Sequence, residues 1–174
     1  MPKKGLLIVH TGHGKGKTTA ALGLTCRMLG HGRRVAFIQF IKGSWKYGEL
    51  DLKERYADLL DFHVMGKGFT FKSKDREADA AAAEEAWTLA EATIAKGAHA
   101  LIVLDELTYL VNLGMVEEAR ILKALREKPP TLHIVVTGRD APEALLNEAD
   151  LVTEMTEIRH PLKSGIKAQK GIEF

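Results

Sequence analysis

The stretch His-Thr-Gly-His-Gly-Lys-Gly-Lys-Thr-Thr, residues 10–19, follows an apolar run at residues 6–9 and precedes a helix-compatible run at residues 20–29. Strand, glycine-rich turn, Gly-Lys-Thr and helix in this order are typical of a phosphate-binding loop. The glycines let several backbone N–H groups turn toward one point, and the helix adds free N–H groups and the positive end of its dipole. In such a loop, Lys17 supplies charge to the phosphates and the Thr18 hydroxyl is a ligand for Mg²⁺.

The glycine spacing of this loop departs from the usual pattern, which is a glycine, four residues and then Gly-Lys-Ser or Gly-Lys-Thr. That pattern requires a glycine at position 11, but the chain has Thr11 and offers Gly12 and Gly14 instead. A glycine-rich turn without a ligand is the alternative interpretation, although Gly-Lys-Thr at a helix start favours phosphate binding. We therefore predict a variant loop that holds its phosphates in a different way.

The composition is that of a soluble globular protein. The 174 residues are 45% apolar and 28% charged with a net charge of +2, so we expect one domain over residues 1–174 and no nucleic-acid partner. No apolar run reaches the roughly 18 residues of a membrane span, and the N-terminus leads into a strand, not a signal peptide. The lone Cys26 fits a reducing cytoplasm, and its helical spacing from Leu22 and Leu29 predicts a core position.

Strand-like and helix-like segments alternate along the chain. The pattern predicts strands at residues 5–10, 33–40, 61–65, 98–104, 132–136 and 150–155, and helices at residues 16–29, 49–60, 75–96, 115–127 and 142–147. Such alternation favours a parallel sheet with right-handed crossovers. We therefore predict an α/β fold, a single-domain P-loop NTPase-like (RecA-like) mostly parallel sheet with helices on both faces.

Charged residues follow two of the predicted strands. Asp105 and Glu106 end an apolar run at residues 101–104, as in the second nucleotide-binding motif of P-loop proteins. An acid there holds Mg²⁺ directly or through water and completes the site begun by Thr18; the alternative is that the acids only favour a helix N-terminus. Arg139 lies at the carboxyl end of another strand, where ligands bind in parallel sheets, and either reaches phosphate or forms a surface salt bridge.

Three further segments leave alternatives open. Phe69 and Phe71 lie two residues apart in a loop of glycine and lysine, and either one ring is buried at a strand edge, which the spacing favours, or both rings face a ligand. Trp45 is either a core residue or a binding aromatic. The basic tail at residues 160–174 is either a frayed terminus or a segment that folds over a polyphosphate.

Seven segments together resemble one family, the P-loop ATP:corrinoid adenosyltransferases of cobalamin synthesis. The resemblance runs in order from residue 5 to residue 174. The segments are GHGKGKTTAA (12–21), QFIKG (39–43), GFT (68–70), READ (76–79), LDELTY (104–109), TGR (137–139) and GIKAQKGIE (165–173).

This resemblance implies that the 5′-deoxyadenosyl group of ATP is transferred to cobalt in a reduced cob(I) corrinoid, with release of triphosphate. ATP then binds in the reverse direction along the loop, because the reaction needs the ribose end exposed. Mg²⁺ is implied at Thr18, Asp105 and Glu106, and the catalytic residues are Lys17, Thr18 and Glu106. The implied ATP-binding residues are Gly12, His13, Gly14, Lys15, Gly16, Lys17, Thr18, Thr19 and Arg139.

The resemblance also changes the interpretation of Phe69 and Phe71. Family members place two aromatic side chains beneath the corrin ring and expel the lower axial ligand, so that four-coordinate cob(II) is easier to reduce. Phe69 matches the first of these aromatics, and Phe71 stands where a family member has tryptophan. The resemblance further implies a homodimer and an electron donor for cobalt, for which a flavoprotein is a candidate.

Two other functions compete with this one. A P-loop kinase or phosphohydrolase acting on the terminal phosphate would form ADP without any corrinoid. A non-catalytic, ATP-responsive binding module would use its aromatic residues for a protein partner and would bind ATP without turnover.

Overall fold

The computed structural model describes residues 4–41, 48–66 and 76–173. Strands and helices alternate along most of this length. The strands are β1 (Leu7–Thr11), β2 (Val35–Gln39), β3 (Leu60–Val64), β4 (Leu101–Asp105), β5 (His133–Thr137) and β6 (Leu151–Glu154). The helices are α1 (Lys17–Gly30), α2 (Leu50–Arg55), α3 (Arg76–Lys96), α4 (Leu107–Asn112), α5 (Glu118–Arg126) and α6 (Glu143–Glu148), and a 3₁₀ turn covers Pro161–Ser164.

The six strands form one parallel sheet in the order β3-β2-β4-β5-β1-β6. All five neighbouring pairs are parallel, and parallel neighbours need crossover connections, which the helices supply. The predicted α/β fold with a parallel sheet is therefore confirmed. Because β4, β5 and β1 are neighbours, the residues that follow their carboxyl ends meet at one end of the sheet.

Both faces of the sheet are covered by helices, as predicted. Alternate residues of β1, β2, β4 and β5 enter two apolar clusters, so that Phe37 belongs to one cluster and Ile38 to the other. The first cluster packs against Trp87 of α3 and against α5, and the second packs against Ala21 and Leu29 of α1. Because these strands are buried on both faces, their sequences are continuous apolar runs.

The predicted core position of Cys26 is wrong, because this side chain is exposed. The inward face of α1 carries Ala21, Thr25 and Leu29 instead. Thr25 is fully buried, and its hydroxyl donates a 3.0 Å hydrogen bond to the carbonyl oxygen of Ala21. A threonine satisfied within its own helix therefore takes the core position that apolar spacing assigned to the cysteine.

Two helical segments differ from the prediction. The predicted helix at residues 49–60 ends at Arg55, and the backbone N–H of Leu60 closes a turn on the carbonyl oxygen of Tyr56 before β3 begins. The six residues of α4 were not predicted, since a helix this short has too few turns to display a 3.6-residue period.

The predictions for Trp45, Phe69 and Phe71 lie outside the described residues. In the ranges that the structure describes, every helix is too short or too polar to cross a membrane.

Candidate active site

The phosphate-binding loop joins the end of β1 to the start of α1. Gly12 and Gly16 have φ angles of 92° and 125°, values that favour glycine. A Cβ atom added at Gly12 would lie 2.5 Å from the carbonyl oxygen of Met155, and one added at Gly14 would lie 2.7 Å from the same oxygen. The Gly14 N–H donates a 2.6 Å hydrogen bond to that oxygen. The shifted glycines therefore allow the chain segment after β6 to pack directly against the loop.

Thr11, which occupies the position of the usual first glycine, is the last residue of β1. It is buried and lies in register with Glu154 of β6. Its hydroxyl accepts a 3.2 Å hydrogen bond from the N–H of Ala141. The usual glycine position therefore belongs to the sheet in this chain, and the loop begins one residue later.

Lys17 is the first residue of α1, and its side chain turns back to the loop. Its ammonium donates hydrogen bonds to the carbonyl oxygens of Gly12 at 2.6 Å and Gly14 at 2.8 Å. Partial burial, followed by the positive charge of Arg139, lowers the pKa of Lys17, while the nearby carboxylates of Glu106 and Asp105 act in the opposite direction. Lys17 also lines the cleft, so its ammonium can pair with an anionic ligand bound there.

Asp105 is the centre of a buried hydrogen-bond network. It is fully buried at the end of β4. Its Oδ1 accepts hydrogen bonds from the hydroxyls of Thr18 at 2.9 Å and Thr137 at 2.7 Å, and its Oδ2 accepts one from Gln39 at 3.2 Å. The predicted partners Thr18 and Asp105 are thus in direct contact, and the carboxylate is held in one orientation.

Gln39 and Thr137 were not predicted as site residues. Each is the last residue of a buried strand, β2 or β5, on either side of β4. A polar residue that ends an apolar run was the available signal, and the order of the strands was needed to bring these residues to Asp105. Thr137 also accepts a 2.9 Å hydrogen bond from the backbone N–H of Glu106.

Glu106 differs from Asp105 in its surroundings. Its backbone is left-handed, with φ 65° and ψ 25°, and the residue lines the cleft in front of the loop. The Thr18 hydroxyl and the two carboxylates supply oxygen donors only, which is the set that Mg²⁺ prefers. The residues present therefore fit a magnesium ion that is coordinated by oxygen atoms of both the protein and the phosphates.

Arg139 follows β5 and lines the same cleft as Lys17. The next residue, Asp140, lies with its Oδ1 3.0 Å from Nε2 of His13 in the loop. The structure therefore brings the predicted residues His13 and Arg139 to the same cleft.

The cleft has a volume of about 580 Å³. The C-terminal tail forms part of its wall, and Glu173 pairs with Lys15 at 3.5 Å. Of the two interpretations of the tail, the described residues favour a segment that returns to the loop. The residues that line the cleft are His13, Gly14, Lys15, Gly16, Lys17, Thr18, Thr19, Leu22, Gly48, Glu49, Leu52, Glu106, Tyr109, Thr137, Gly138, Arg139, Glu157, His160, Gly171, Ile172 and Glu173.

In this parallel sheet, the first strand leads through a glycine-rich loop into a helix, and Lys17 and Thr18 lie near acids that end another strand. These features define a P-loop nucleotide-binding protein. The crystal structure of the flagellar accessory protein FlaH from Methanocaldococcus jannaschii has a similar fold, with a TM-score of 0.63 over 87% of this chain and 71% of that chain at 16% identity. The model of the family ATP:corrinoid adenosyltransferase BtuR/CobO/CobP matches residues 3–174. The chain belongs to this family of alkyl-transferring enzymes.

Curated relatives agree with this assignment. A corrinoid adenosyltransferase from Pseudomonas aeruginosa is 45% identical over 172 residues, which is 99% of this chain and 85% of that protein. The corrinoid adenosyltransferase of Escherichia coli K12 is 41% identical and that of Salmonella typhimurium, CobA, is 40% identical, each over 99% of this chain and 87% of the relative. The resemblance identified from sequence motifs is therefore confirmed over nearly the whole chain.

Proposed function

We propose that this protein transfers the 5′-deoxyadenosyl group of ATP to the cobalt of a reduced cob(I) corrinoid and releases triphosphate, in adenosylcobalamin synthesis or salvage. The observation that carries the proposal is the family match over residues 3–174 together with the variant loop, in which Lys17 and Thr18 face the cleft. The substrates are ATP and a corrinoid.

The reaction moves the 5′-deoxyadenosyl group from triphosphate to cobalt. Cobalt in the cob(I) substrate attacks the 5′-carbon of ATP with its electron pair, and a cobalt–carbon bond forms. The bond between that carbon and the α-phosphate oxygen breaks, and its electron pair leaves with triphosphate. Because cobalt is the nucleophile, no nucleophile or general base from the protein is needed, and the protein contributes alignment and charge.

The site residues have proposed roles in holding the leaving group. The amides of residues 12–19 and the charges of Lys15, Lys17 and Arg139 contact the triphosphate. The ammonium of Lys15 lies 3.5 Å from the carboxylate of Glu173, and both residues line the cleft. A phosphate chain that enters the cleft is therefore attracted to this ammonium, which supports the placement. His13 lines the same cleft and is proposed to border the phosphates.

Thr18, Asp105 and Glu106 are proposed to hold Mg²⁺. The buried Asp105 accepts a 2.9 Å hydrogen bond from the Thr18 hydroxyl, which turns the oxygen lone pairs of Thr18 toward the cleft. Glu106 lines that cleft, so we assign direct or water-mediated contact to Glu106 and orientation of Thr18 to Asp105. Mg²⁺, when bound, neutralises charge on the triphosphate and so makes it a better leaving group.

The corrinoid is proposed to bind against Phe69 and Phe71. These residues lie outside the described ranges, so the proposal depends on family resemblance. An apolar contact below the ring displaces the lower axial ligand of cobalt and favours its reduction. The electron is proposed to come from a separate donor, such as a flavoprotein.

We also propose a cytoplasmic homodimer. All four residues of the outer strand β6 are exposed, including Leu151 at 44% and Val152 at 45%, and an exposed strand with apolar side chains is a surface that proteins commonly cover. The single, exposed Cys26 suits a reducing compartment.

ATP carrying carbon-14 in its adenosine and phosphorus-32 at the γ-position tests the proposed reaction. With cob(I) corrinoid and Mg²⁺, carbon-14 is expected in the corrinoid and phosphorus-32 in intact triphosphate, in equal amounts. Carbon-14 in ADP with phosphorus-32 in orthophosphate would instead establish a phosphohydrolase. Retention of both labels in bound ATP would establish a binding module.

A further inference from the structure

The loop of residues 138–141 carries Arg139 into the cleft in an unusual backbone conformation. Gly138 has a φ of 147° and Asp140 has a φ of 50°. A non-glycine residue with positive φ is uncommon and persists where its surroundings hold it in place. In this loop the surroundings are α4 on one side and the phosphate-binding loop on the other.

Helix α4 contacts the loop through two donors. The Thr108 hydroxyl donates a 2.7 Å hydrogen bond to the carbonyl oxygen of Arg139. The side-chain amide of Asn112 donates a 3.0 Å hydrogen bond to the carbonyl oxygen of Asp140 and a longer one, 3.4 Å, to that of Arg139. Thr108 and Asn112 are four residues apart and so lie on one face of the helix, where they hold two successive carbonyl groups.

The packing between α4 and the loop is close. Thr108 is fully buried, and a Cβ atom at Gly138 would lie 1.9 Å from its hydroxyl oxygen and 2.9 Å from its Cβ. A side chain at position 138 is therefore excluded, and α4 lies directly against the backbone that precedes Arg139.

The opposite side of the loop contacts the phosphate-binding loop. His13 lies 3.0 Å from the Asp140 carboxylate, and the Ala141 N–H donates to the Thr11 hydroxyl at 3.2 Å. The main chain around Arg139 is thus held between α4 and the loop that contains Lys17. A shift of α4 would move Arg139 relative to Lys17.

We propose that Thr108 and Asn112 are positioning residues for Arg139. They fix the carbonyl groups of residues 139 and 140, so the main chain that carries the Arg139 guanidinium is held at the cleft before ATP binds. Holding a cation in its bound position reduces the ordering cost of binding. This inference rests on the proposed function, in which Arg139 contacts the phosphates of ATP.

Calorimetric titration of ATP and of inorganic triphosphate into the full chain tests the inference. Thr108→Val removes one of these hydrogen bonds and Asn112→Ala removes two, and each substitution is expected to raise Kd about three- to tenfold. Thr108→Ser keeps the hydroxyl donor and is expected to retain the wild-type Kd. In an Arg139→Ala background, the same substitutions are expected to have no further effect, because the residue that they position is gone.

Matched control variants separate positioning from general destabilisation. Thr25 is also fully buried and donates to a carbonyl oxygen, and Asn147 is also an exposed helical asparagine. Thr25→Val and Asn147→Ala are expected to leave both Kd values unchanged. Because Asn112 is exposed, Asn112→Ala keeps the test valid even if Thr108→Val fails to fold.

The outcomes distinguish the two proposals. Equal weakening by Thr108→Val or Asn112→Ala with and without Arg139 overturns the positioning role, since the effect then does not pass through Arg139. A weakened Kd in Arg139→Ala with normal binding in both other variants overturns the positioning role and leaves the phosphate contact of Arg139 standing. A normal Kd in Arg139→Ala overturns both the positioning role and the phosphate contact of Arg139.

Discussion

The hydroxyl of Thr18 donates a 2.9 Å hydrogen bond to Oδ1 of Asp105, joining the start of α1 to the end of β4. The two residues are 87 positions apart in the sequence, and both belong to motifs that identify nucleotide-binding proteins. Since Asp105 is fully buried and Thr18 lines the cleft, the carboxylate acts on a ligand through the hydroxyl that it orients.

Substitutions of Asp105 test how much this contact contributes to stability and to ATP binding. Asp105 accepts three hydrogen bonds, two at Oδ1 and one at Oδ2, but an amide nitrogen accepts none. Asp105→Asn therefore leaves at least one buried donor unpaired, at a cost of about 1–3 kcal/mol in unfolding free energy. Asparagine keeps one acceptor oxygen for the Thr18 hydroxyl, whereas Asp105→Ala removes both oxygens, so calorimetry on Asp105→Ala should show a loss of the Mg²⁺-dependent part of ATP affinity.

Thr18→Ser is the matched control for that experiment, because serine keeps the hydroxyl donor. It is expected to retain Mg²⁺-dependent ATP binding, whereas Thr18→Val is expected to lose it. Normal Mg²⁺ dependence in Asp105→Ala would refute the orientation role of the carboxylate.

Two Gly→Ala substitutions in the same region should have opposite effects on stability. A Cβ at Gly14 would meet the Met155 backbone at 2.7 Å, whereas a Cβ at Gly23, within α1, has no atom within 4 Å. Gly14→Ala should lower the unfolding free energy by about 1–3 kcal/mol. Gly23→Ala should raise it by roughly 0.5–1 kcal/mol, because alanine is the better helix former. Urea denaturation measures both, and equal effects would contradict the close packing of the loop against Met155.

Stability should fall as pH drops below about 6.5, because burial lowers the pKa of His10, His63 and His133 from this ordinary value. The unfolded chain then binds protons at a higher pH than the folded chain does. The stability present above pH 6.5 is therefore lost as pH falls from 6.5 toward the lowered folded pKa values, by at most about 1.4 kcal/mol per pH unit for each histidine. Carboxylates with a lowered pKa, such as Asp150, titrate below 3.8 and do not contribute in this window.

His10→Leu tests this pH dependence. His10 is buried at 7% exposure, and both ring nitrogens lack a hydrogen-bond partner within the described part of the chain. The substitution removes one of the three histidines, so the loss of unfolding free energy between pH 7.5 and pH 5.5 should be smaller than in the wild type. An identical loss in the two proteins would show that His10 is not responsible.

Phe69→Ala should separate reduction of cobalt from alkyl transfer. If Phe69 displaces the lower axial ligand, the variant loses much more adenosylation activity starting from cob(II) with a reductant than from chemically reduced cob(I). Tyr56→Ala, at an exposed aromatic residue, provides a control. Equal losses from both starting materials would return Phe69 to a structural role.

The strands were the most predictable part of the fold. All six were predicted within three residues of their observed ends. Four of them, β1, β2, β4 and β5, are buried on both faces and are therefore continuous apolar runs. The loop at residues 10–19 and the acids at 105 and 106 were predictable for a related reason, since each directly follows such a run.

What the sequence could not supply was the order of the strands. Gln39 and Thr137 reach Asp105 only because β2 and β5 flank β4, and the segment after β6 packs so closely on Gly12 and Gly14 that neither position has room for a Cβ atom. Both relationships join residues far apart in the chain, and periodicity carries no information about them. The error at Cys26 was local: a buried threonine with a hydrogen bond inside its helix replaced the expected apolar residue.

Anaerobic mixing of the protein with ATP, Mg²⁺ and chemically reduced cob(I)alamin tests the central claim most directly. The visible spectrum reports the corrinoid, and ³¹P NMR identifies the phosphate product. We predict a light-sensitive adenosyl-corrinoid spectrum and an equal amount of triphosphate, with both strongly reduced in Lys17→Ala. An unchanged corrinoid spectrum accompanied by ADP and orthophosphate would contradict the account and indicate ordinary phosphoryl transfer at this loop.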